Sequence, residues 1–366
     1  MGLSLDKQPL YPHLFSPLKL GSIELRNRII MAPLTRARTE VDHIPTDLMA
    51  EYYAQRASGG LIIAEATMAM PNCSAFAKEP GIYSDAQIAG WKKVTDAVHA
   101  KGGRIVLQIW HGGRACHPYL NDGKEPVAPS AIAITNSKLH TPDGEIDYTV
   151  PHALTEDEIP AIIQGFKQAA INAKAAGFDG IEVHGANGYL LDQFLRDGSN
   201  QRTDNYGGSI ENRARLLLDV LTAVCDVWGS EYVGLRISPI NSFNSMIDSD
   251  PVALTQWLSE KLNEFNLAYL HVMRSDFFGV QTEDVLSACQ QNYKGNIIGN
   301  MGYDAVEAEA AITKGDLAAV AFGVSYLANP DLPERLQAGA ELNTANPDTF
   351  YTSGVEGYTD YPFMND

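Results

Sequence analysis

Residues 84–109, SDAQIAGWKKVTDAVHAKGGRIVLQI, contain the pattern that decides the fold, a helix followed by a strand. Ser84 and Gln87 have the spacing of a capping box, which marks the start of a helix. Apolar residues then recur at helical spacing, at Ile88, Trp91, Val94 and Val98. Gly102 lies where this helix should end, and the apolar, β-branched run 104–109 that follows is typical of a buried strand.

The same alternation of strand and helix extends over most of the chain. Strands are predicted at residues 28–31, 61–65, 104–109, 180–183, 233–237, 268–272, 296–298 and 319–322. Eight strands that alternate with helices predict an α/β fold, a (β/α)8 TIM barrel that forms a single domain over residues 1–366. A doubly wound sheet is the alternative, but no G-x-G-x-x-G follows the first strand, so no glycine brings the backbone against a pyrophosphate there.

One connection is much longer than the others. Residues 112–151 are rich in Pro, Asn, Asp and Ser and have no helical stripe. A segment of this length exceeds an ordinary connection in a barrel. We therefore expect an inserted loop or hairpin after the third strand, over the face at which the carboxyl ends of the strands meet.

The composition excludes several classes of function. The chain has 45 acidic and 27 basic residues and a net charge of -18, so its surface should repel nucleic acid and anionic membranes. The four cysteines lie far apart and form no metal or iron–sulfur motif, so no metal is expected. Because we find no signal peptide and no apolar run of about 18 residues, we expect a cytoplasmic protein that does not enter the membrane.

Barrel enzymes place their chemistry at the carboxyl ends of the strands, and here the residues at those ends are polar. His184, Asn187 and Tyr189 follow the fourth strand among interleaved glycines, which indicates a turn that lets them converge. An imidazole and an amide can both donate a hydrogen bond to one oxygen, and a tyrosine can donate a proton. The alternative is that the histidine is a satisfied loop residue and that the tyrosine belongs to the core.

A cation and two glycine-containing turns lie at the same end of the predicted barrel. Arg236 is near the end of the fifth strand, where it should meet either a carboxylate in an ion pair or an anionic ligand. Residues 299–302 and 322–323 follow the seventh and eighth strands, a common place for phosphate, and residues 325–328 could form a short extra helix. The alternative is that these glycines only make tight turns. No lysine ends a strand and no carboxylates cluster, which argues against a Schiff-base aldolase and against a metal-dependent enolase or hydrolase.

Several longer sequence motifs are spread over the chain. They are MAPLTR at 31–36, EYY at 51–53 with QRAS at 55–58, NQRTD at 200–204 and YGGSIENR at 206–213. With these motifs the chain resembles the old yellow enzymes, the FMN-dependent ene-reductases, from Leu14 to Pro362. It is most similar to their bacterial subgroup of N-ethylmaleimide and pentaerythritol tetranitrate reductases.

The resemblance implies a bound FMN and NADPH or NADH as the hydride donor. The residues that would line the flavin ring are Pro33, Thr35, Ala66, Gln108 and Arg236. Those that would surround its phosphate are Asn300, Met301, Gly302, Gly323 and Val324. Arg236 would lie beside N1 and the C2 carbonyl of the ring, where a fixed positive charge favours the anionic reduced form.

The resemblance also implies ping-pong reduction of activated C=C bonds, as in enones and maleimides, and extends to nitro compounds and nitrate esters. His184 and Asn187 would bind the electron-withdrawing group of the acceptor, and Tyr189 would protonate its α-carbon. The aromatic residues that would line the substrate pocket are Phe76, Trp110 and Tyr351.

Two positions depart from the usual pattern of the family. Val324 stands where an arginine usually pairs with the FMN phosphate, so we expect weaker FMN retention unless another basic residue substitutes. Asn187 stands where close relatives often have histidine, and either residue can donate a hydrogen bond. Arg114 and Lys138 are candidates for contacting a phosphate of the nicotinamide coenzyme. Two other functions stay open: a barrel lyase or isomerase for a phosphorylated small molecule, and a binding or scaffold module.

Overall fold

The central strands of the structure close into a barrel. The computed structural model describes residues 10–141 and 144–365. Its strands are, in chain order, β1 (Leu18–Leu20), β2 (Ile23–Leu25), β3 (Ile29–Met31), β4 (Leu61–Met68), β5 (Ile105–Trp110), β6 (Val127–Ala128), β7 (Lys138–Thr141), β8 (Gly144–Asp147), β9 (His152–Ala153), β10 (Gly180–Gly185), β11 (Val233–Ile237), β12 (Tyr269–Met273), β13 (Ile297–Asn300) and β14 (Ala319–Phe322). The barrel runs β3, β4, β5 and then β10 to β14, all parallel, and β14 pairs back onto β3. The predicted (β/α)8 barrel is confirmed, and the doubly wound alternative is wrong.

Helices follow the barrel strands and form the outer layer. They are α1 (Asp47–Gln55), α2 (Asp85–Ala100), α3 (Ile159–Ala175), α4 (Leu190–Leu195), α5 (Ile210–Trp228), α6 (Pro251–Leu262), α7 (Val285–Asn292), α8 (Ala305–Lys314), α9 (Val324–Ala328) and α10 (Leu332–Ala338). Helix α2 begins with the predicted capping box of Ser84 and Gln87. Its stripe of Trp91, Val94 and Val98 is fully buried, so this face holds the helix against the barrel.

Strand residues alternate between an outer and an inner apolar layer. On β5, Ile105 and Leu107 pack in the cluster between strands and helices, whereas Val106 belongs to a second cluster inside the barrel. The hairpin of β1 and β2 contributes Leu20 and Ile23 to this inner cluster. The amino-terminal end of the barrel is therefore filled with apolar side chains, which leaves the carboxyl end for the site.

The predicted insertion is present between β5 and α3. Its two ends are joined by the parallel pairing of β6 with β9, and β7 and β8 form an antiparallel hairpin within it. The single-domain prediction for residues 1–366 stays a prediction, since residues 1–9, 142–143 and 366 lie outside the described part of the chain. None of the helices described is both long enough and apolar enough to cross a membrane.

Candidate active site

All the residues predicted to contact the flavin or the acceptor line one cavity at the carboxyl end of the barrel. These residues are Pro33, Thr35, Ala66, Phe76, Gln108, Trp110, His184, Asn187, Tyr189, Arg236, Asn300, Met301, Gly302, Gly323, Val324 and Tyr351. The cavity has a volume of ≈ 480 Å³, within the range of about 300–1,000 Å³ for pockets that hold cofactors and small ligands. The placement of these side chains is thus observed, and their chemical roles stay predictions.

Arg236 is a buried cation on the inner wall of the cavity. Its Nη2 donates to the Asn300 side-chain oxygen at 2.8 Å, and its Nε has no hydrogen-bond partner among the described residues. Burial lowers the pKa of Arg236, and the nearby Glu182 carboxylate partly offsets this effect. Within the described residues Arg236 forms no ion pair of 4.0 Å or less, so of the two predicted partners the structure favours an anionic ligand.

Below the cavity lies a buried polar network that sequence reasoning missed. Gln108 donates from Nε2 to Glu182 Oε1 at 2.7 Å, and His271 Nδ1 lies 3.0 Å from the other Glu182 oxygen. The Glu182 contact fixes the Gln108 amide and leaves its carbonyl oxygen free to accept. A signal was present in the sequence, because Glu182 and His271 interrupt apolar strands that should be buried.

The turn after β10 is built so that its polar side chains converge. Asn187 and Gly188 have φ angles of 58° and 71°, and a Cβ on Gly188 would lie 2.7 Å from Met246. Only glycine fits there. The Gly188 N–H donates to Asp192 Oδ2 at 2.8 Å, and Gln193 donates to the Gly188 carbonyl at 2.7 Å. Helix α4, which carries both of these partners, therefore holds the turn in place.

The amide of Asn187 is oriented by a neighbour. Asn241 donates from Nδ2 to Asn187 Oδ1 at 2.9 Å, and Asn244 donates to the Asn187 backbone carbonyl at 3.0 Å. Because the side-chain oxygen is occupied, the Asn187 Nδ2 group is the one left to donate to a ligand. Asn241 was missed by sequence reasoning, although it follows β11 at the end of the barrel where polar residues matter.

Burial keeps His184 and Tyr189 uncharged. Burial, the Arg236 charge and His271 together hold the pKa of His184 well below its ordinary value, so the imidazole is neutral. Burial likewise raises the pKa of Tyr189, so its hydroxyl keeps its proton. The two rings lie 5.5 Å apart between centroids, and Trp110 packs edge-on against Tyr189 at 4.3 Å. The site thus offers a neutral donor and a phenolic proton side by side.

Two backbone turns form the opposite end of the cavity. Met301 and Gly302 have φ angles of 84° and 70° after β13, and α9 begins at Val324, directly after Gly323. The predicted short helix of 325–328 is present as α9. Val324 is 51% exposed and offers no charge to a phosphate.

The two cations suggested for the coenzyme phosphate lie outside the cavity and contact other groups. Arg114 is buried and donates to the backbone carbonyls of Asn244 and Ser245. Lys138 pairs with Asp147 at 3.4 Å on the inserted hairpin. Neither residue lines the cavity, so a contact of either with the coenzyme phosphate stays a prediction.

Aromatic side chains surround the mouth of the cavity. Phe76 stacks on Tyr351 with 5.9 Å between the ring centroids. Phe243 and Phe277 line the cavity as well and meet edge-to-face at 6.0 Å. Sequence reasoning missed them because they lie in irregular loops after β11 and β12 and follow no periodic pattern.

Two arginines, Arg36 at the end of the MAPLTR motif and Arg38 just after it, attach the carboxyl-terminal segment to the barrel. Arg36 donates to the carbonyls of Phe350 and Gly357, and Arg38 donates to the Thr349 carbonyl. Such charge-assisted contacts are stronger than neutral hydrogen bonds. Since these carbonyls flank Tyr351, Arg36 and Arg38 position that ring at the mouth.

Comparison with known proteins agrees with this geometry. Residues 13–343 match the NADH:flavin oxidoreductase / NADH oxidase family. A Leishmania infantum protein described as a probable flavin mononucleotide-dependent alkene reductase is 50% identical over 356 residues, 96% of this chain and 97% of its own. The old yellow enzyme of Trypanosoma cruzi superposes with a TM-score of 0.94 at 48% identity, over 97% of this chain and 100% of that one. Morphinone reductase in complex with tetrahydroNAD superposes with a TM-score of 0.92 at 48% identity, over 96% and 98% of the two chains.

Proposed function

The chain belongs to the NADH:flavin oxidoreductase / NADH oxidase family, and we propose that it reduces activated alkenes with His184, Asn187 and Tyr189 as its catalytic residues. It is an FMN-dependent enzyme of the old yellow enzyme type that uses a nicotinamide coenzyme. Bound FMN supplies hydride transfer, first from the coenzyme and then to the alkene. The lyase or isomerase alternative has no observation in its favour. The narrower bacterial subgroup stays a prediction.

The donor set of the cavity fits FMN. At one end Arg236 has a buried Nε without a partner, which suits the pyrimidine edge of an isoalloxazine. Gln108, with its amide fixed by Glu182, offers an acceptor beside it. At the other end, Gly323 has no atom closer than 3.7 Å to the place of a Cβ, so the backbone is open to a phosphate.

His184 and Asn187 bind and orient the acceptor. A carbonyl or nitro oxygen that receives one hydrogen bond from the neutral imidazole and one from Asn187 Nδ2 is polarised along its conjugated C=C bond. A protonated His184 would place a second cation beside Arg236, and its burial together with that charge opposes this state. The pair therefore stabilises negative charge as it develops and needs no charge of its own.

Tyr189 supplies the proton. When hydride adds to the β-carbon of the alkene, an electron pair is left on the α-carbon, and the Tyr189 hydroxyl donates its proton there. The hydroxyl then regains a proton from water that enters the cavity. Trp110 restricts the tyrosine ring through its edge-on contact. Phe76 and Tyr351 enclose the apolar part of the acceptor at the mouth.

The single observation that carries this proposal is the Asn241 contact, which leaves Asn187 Nδ2 to donate on the same wall as His184 and Tyr189. The test is spectroscopic. The purified protein should be yellow, should lose its flavin absorbance when NADH or NADPH is added without oxygen, and should regain it with 2-cyclohexenone or N-ethylmaleimide. Flavin that the nucleotides reduce but that no alkene reoxidises would contradict the proposal.

The cellular setting is part of the proposal. The cysteines at positions 73, 116, 225 and 289 are free in the structure, in keeping with the reducing compartment expected for a cytoplasmic enzyme. The net charge of -18 disfavours a nucleic acid partner.

A further inference from the structure

The phosphate end of the cavity lacks the cation that its chemistry calls for. Arg236 is the one lysine or arginine among the described residues that line the cavity, and it lies at the other end. A second arginine, Arg274, stands just behind the turn, with Nη2 3.8 Å from the place of a Cβ on Gly302. We propose that Arg274 is a positioning residue for the FMN phosphate, which holds the Met301–Gly302 turn with its N–H groups toward the cavity. This inference rests on the proposed function, because it requires bound FMN.

Arg274 joins three elements, and each of its three side-chain nitrogens donates a hydrogen bond. Its backbone N–H donates to the Asn300 carbonyl at 3.3 Å, and its Nε donates to the Met301 carbonyl at 2.8 Å. The two terminal nitrogens form a two-pronged contact with Glu307 of α8, with Nη2 to Oε2 at 2.8 Å. The guanidinium also lies 3.6 Å above the Tyr303 ring. A lysine could not reproduce this planar arrangement.

The Met301–Gly302 turn needs a side chain that fixes its conformation, because its backbone is strained. Met301 has a φ of 84°, a conformation that residues with a Cβ adopt only when their surroundings impose it. The carbonyl and N–H of one peptide plane point in opposite directions. Since Arg274 binds the Met301 carbonyl, the Gly302 N–H of that peptide is directed away from Arg274, and Gly302 itself lines the cavity. Among the described residues this N–H donates to no other group.

Arg274 acts on the phosphate mainly by positioning the Met301–Gly302 turn and less by its own charge. Glu307 neutralises the guanidinium, and the same contact raises the pKa of Arg274 and lowers that of Glu307. The side chain is only 24% exposed. The phosphate therefore meets oriented N–H dipoles instead of a direct arginine contact at Val324.

Riboflavin separates the phosphate contact from the rest of the binding site, because it has the ring and no phosphate. We would measure dissociation constants of FMN and riboflavin by fluorescence on the full-length chain stripped of flavin. For Arg274→Gln, FMN should bind roughly tenfold more weakly, and riboflavin should change less than about twofold. Arg274→Lys should behave like Arg274→Gln. Arg104→Gln, at the amino-terminal end of β5, is the matched control and should change neither constant.

Three outcomes for the Arg274 variants would overturn the inference. Equal weakening of FMN and riboflavin would assign Arg274 a general structural role. Unchanged FMN binding would remove its role altogether. If Arg274→Lys binds FMN and riboflavin with the wild-type ratio of dissociation constants, the positive charge at this position acts in place of positioning. If Arg274→Gln does not fold, Arg274→Lys alone decides. A wild-type chain that binds neither flavin would contradict the proposed function and this inference with it.

Discussion

Replacing Asn241 by aspartate should disable the site without touching a residue that contacts the acceptor. Asn241 Nδ2 donates to Asn187 Oδ1 at 2.9 Å, while its own oxygen accepts the N–H groups of Phe243 and Phe277 at 3.4 and 3.3 Å. In Asn241→Asp the second carboxylate oxygen would face Asn187 Oδ1. Two acceptors at that distance repel each other, so the Asn187 amide should rotate and donate to the aspartate. It would then present its oxygen to the oxygen of the acceptor.

The acceptor should thereby lose one hydrogen-bond donor, the Asn187 amide, at a site that stabilises developing negative charge. Such a donor contributes about 2.7–4 kcal/mol, or roughly 10²- to 10³-fold in rate. We expect this decrease in the rate at which 2-cyclohexenone reoxidises the reduced enzyme, measured by stopped-flow absorbance. Asn187→Ala is the matched variant, and the double variant Asn187→Ala with Asn241→Asp should lose no more than Asn187→Ala alone.

The pH dependence gives a second check on the same variant. Asn241 is fully buried, so an aspartate there should have a raised pKa. Below that pKa the protonated acid can donate to Asn187, as the native amide does. The rate of Asn241→Asp relative to wild type should therefore recover as the pH falls. The reasoning is refuted if the variant stays within about fivefold of wild type at high pH, or if the losses of the two single variants multiply in the double variant.

Two further predictions concern the cofactor and the stability of the protein. Val324→Arg should tighten FMN on the order of tenfold, because it adds a charge-assisted contact to the phosphate; an unchanged dissociation constant in equilibrium dialysis would reject this. Burial lowers the pKa of His111 to about 4 while its Nδ1 accepts the Gly113 N–H at 3.0 Å. The unfolded chain binds this proton below about pH 6.5 and the folded chain does not, so the free energy of unfolding should fall by about 3 kcal/mol as the pH drops from about 6.5 to about 4. His111→Asn keeps the acceptor and should remove this part of the slope in urea unfolding with saturating FMN; an identical slope in the variant would count against it.

Much of the fold could be predicted from local sequence patterns, and β4 shows what such patterns cannot predict. The apolar run predicts a strand over 61–65, but the strand continues to Met68 with a register shift between Ala64 and Thr67. Glu65 at the end of that run is buried because the Arg36 N–H and the Tyr53 hydroxyl both donate to it. Partners that are distant in sequence cannot be read from a pattern of neighbouring residues.

The residues of the site also differ in whether local sequence patterns predict them. His184 and Arg236 could be found because parallel strands bring their carboxyl ends together, so polar residues there predict a shared cavity. Asn241 and Arg274 act through Asn187 and Met301, respectively, and only the assembled structure shows those contacts. Residues that touch a ligand are thus easier to predict than the residues that orient them.

The central claim is that Tyr189 donates the proton to the reduced alkene, and separate measurement of the two half-reactions of Tyr189→Phe tests it most directly. Reduction of the flavin by the nicotinamide coenzyme should stay within about twofold of wild type, while reoxidation by 2-cyclohexenone should slow by about 10²- to 10⁴-fold. Tyr148→Phe, in the same apolar cluster as Tyr189, should change neither rate. Equal slowing of both half-reactions, or reoxidation at the wild-type rate, would contradict the claim.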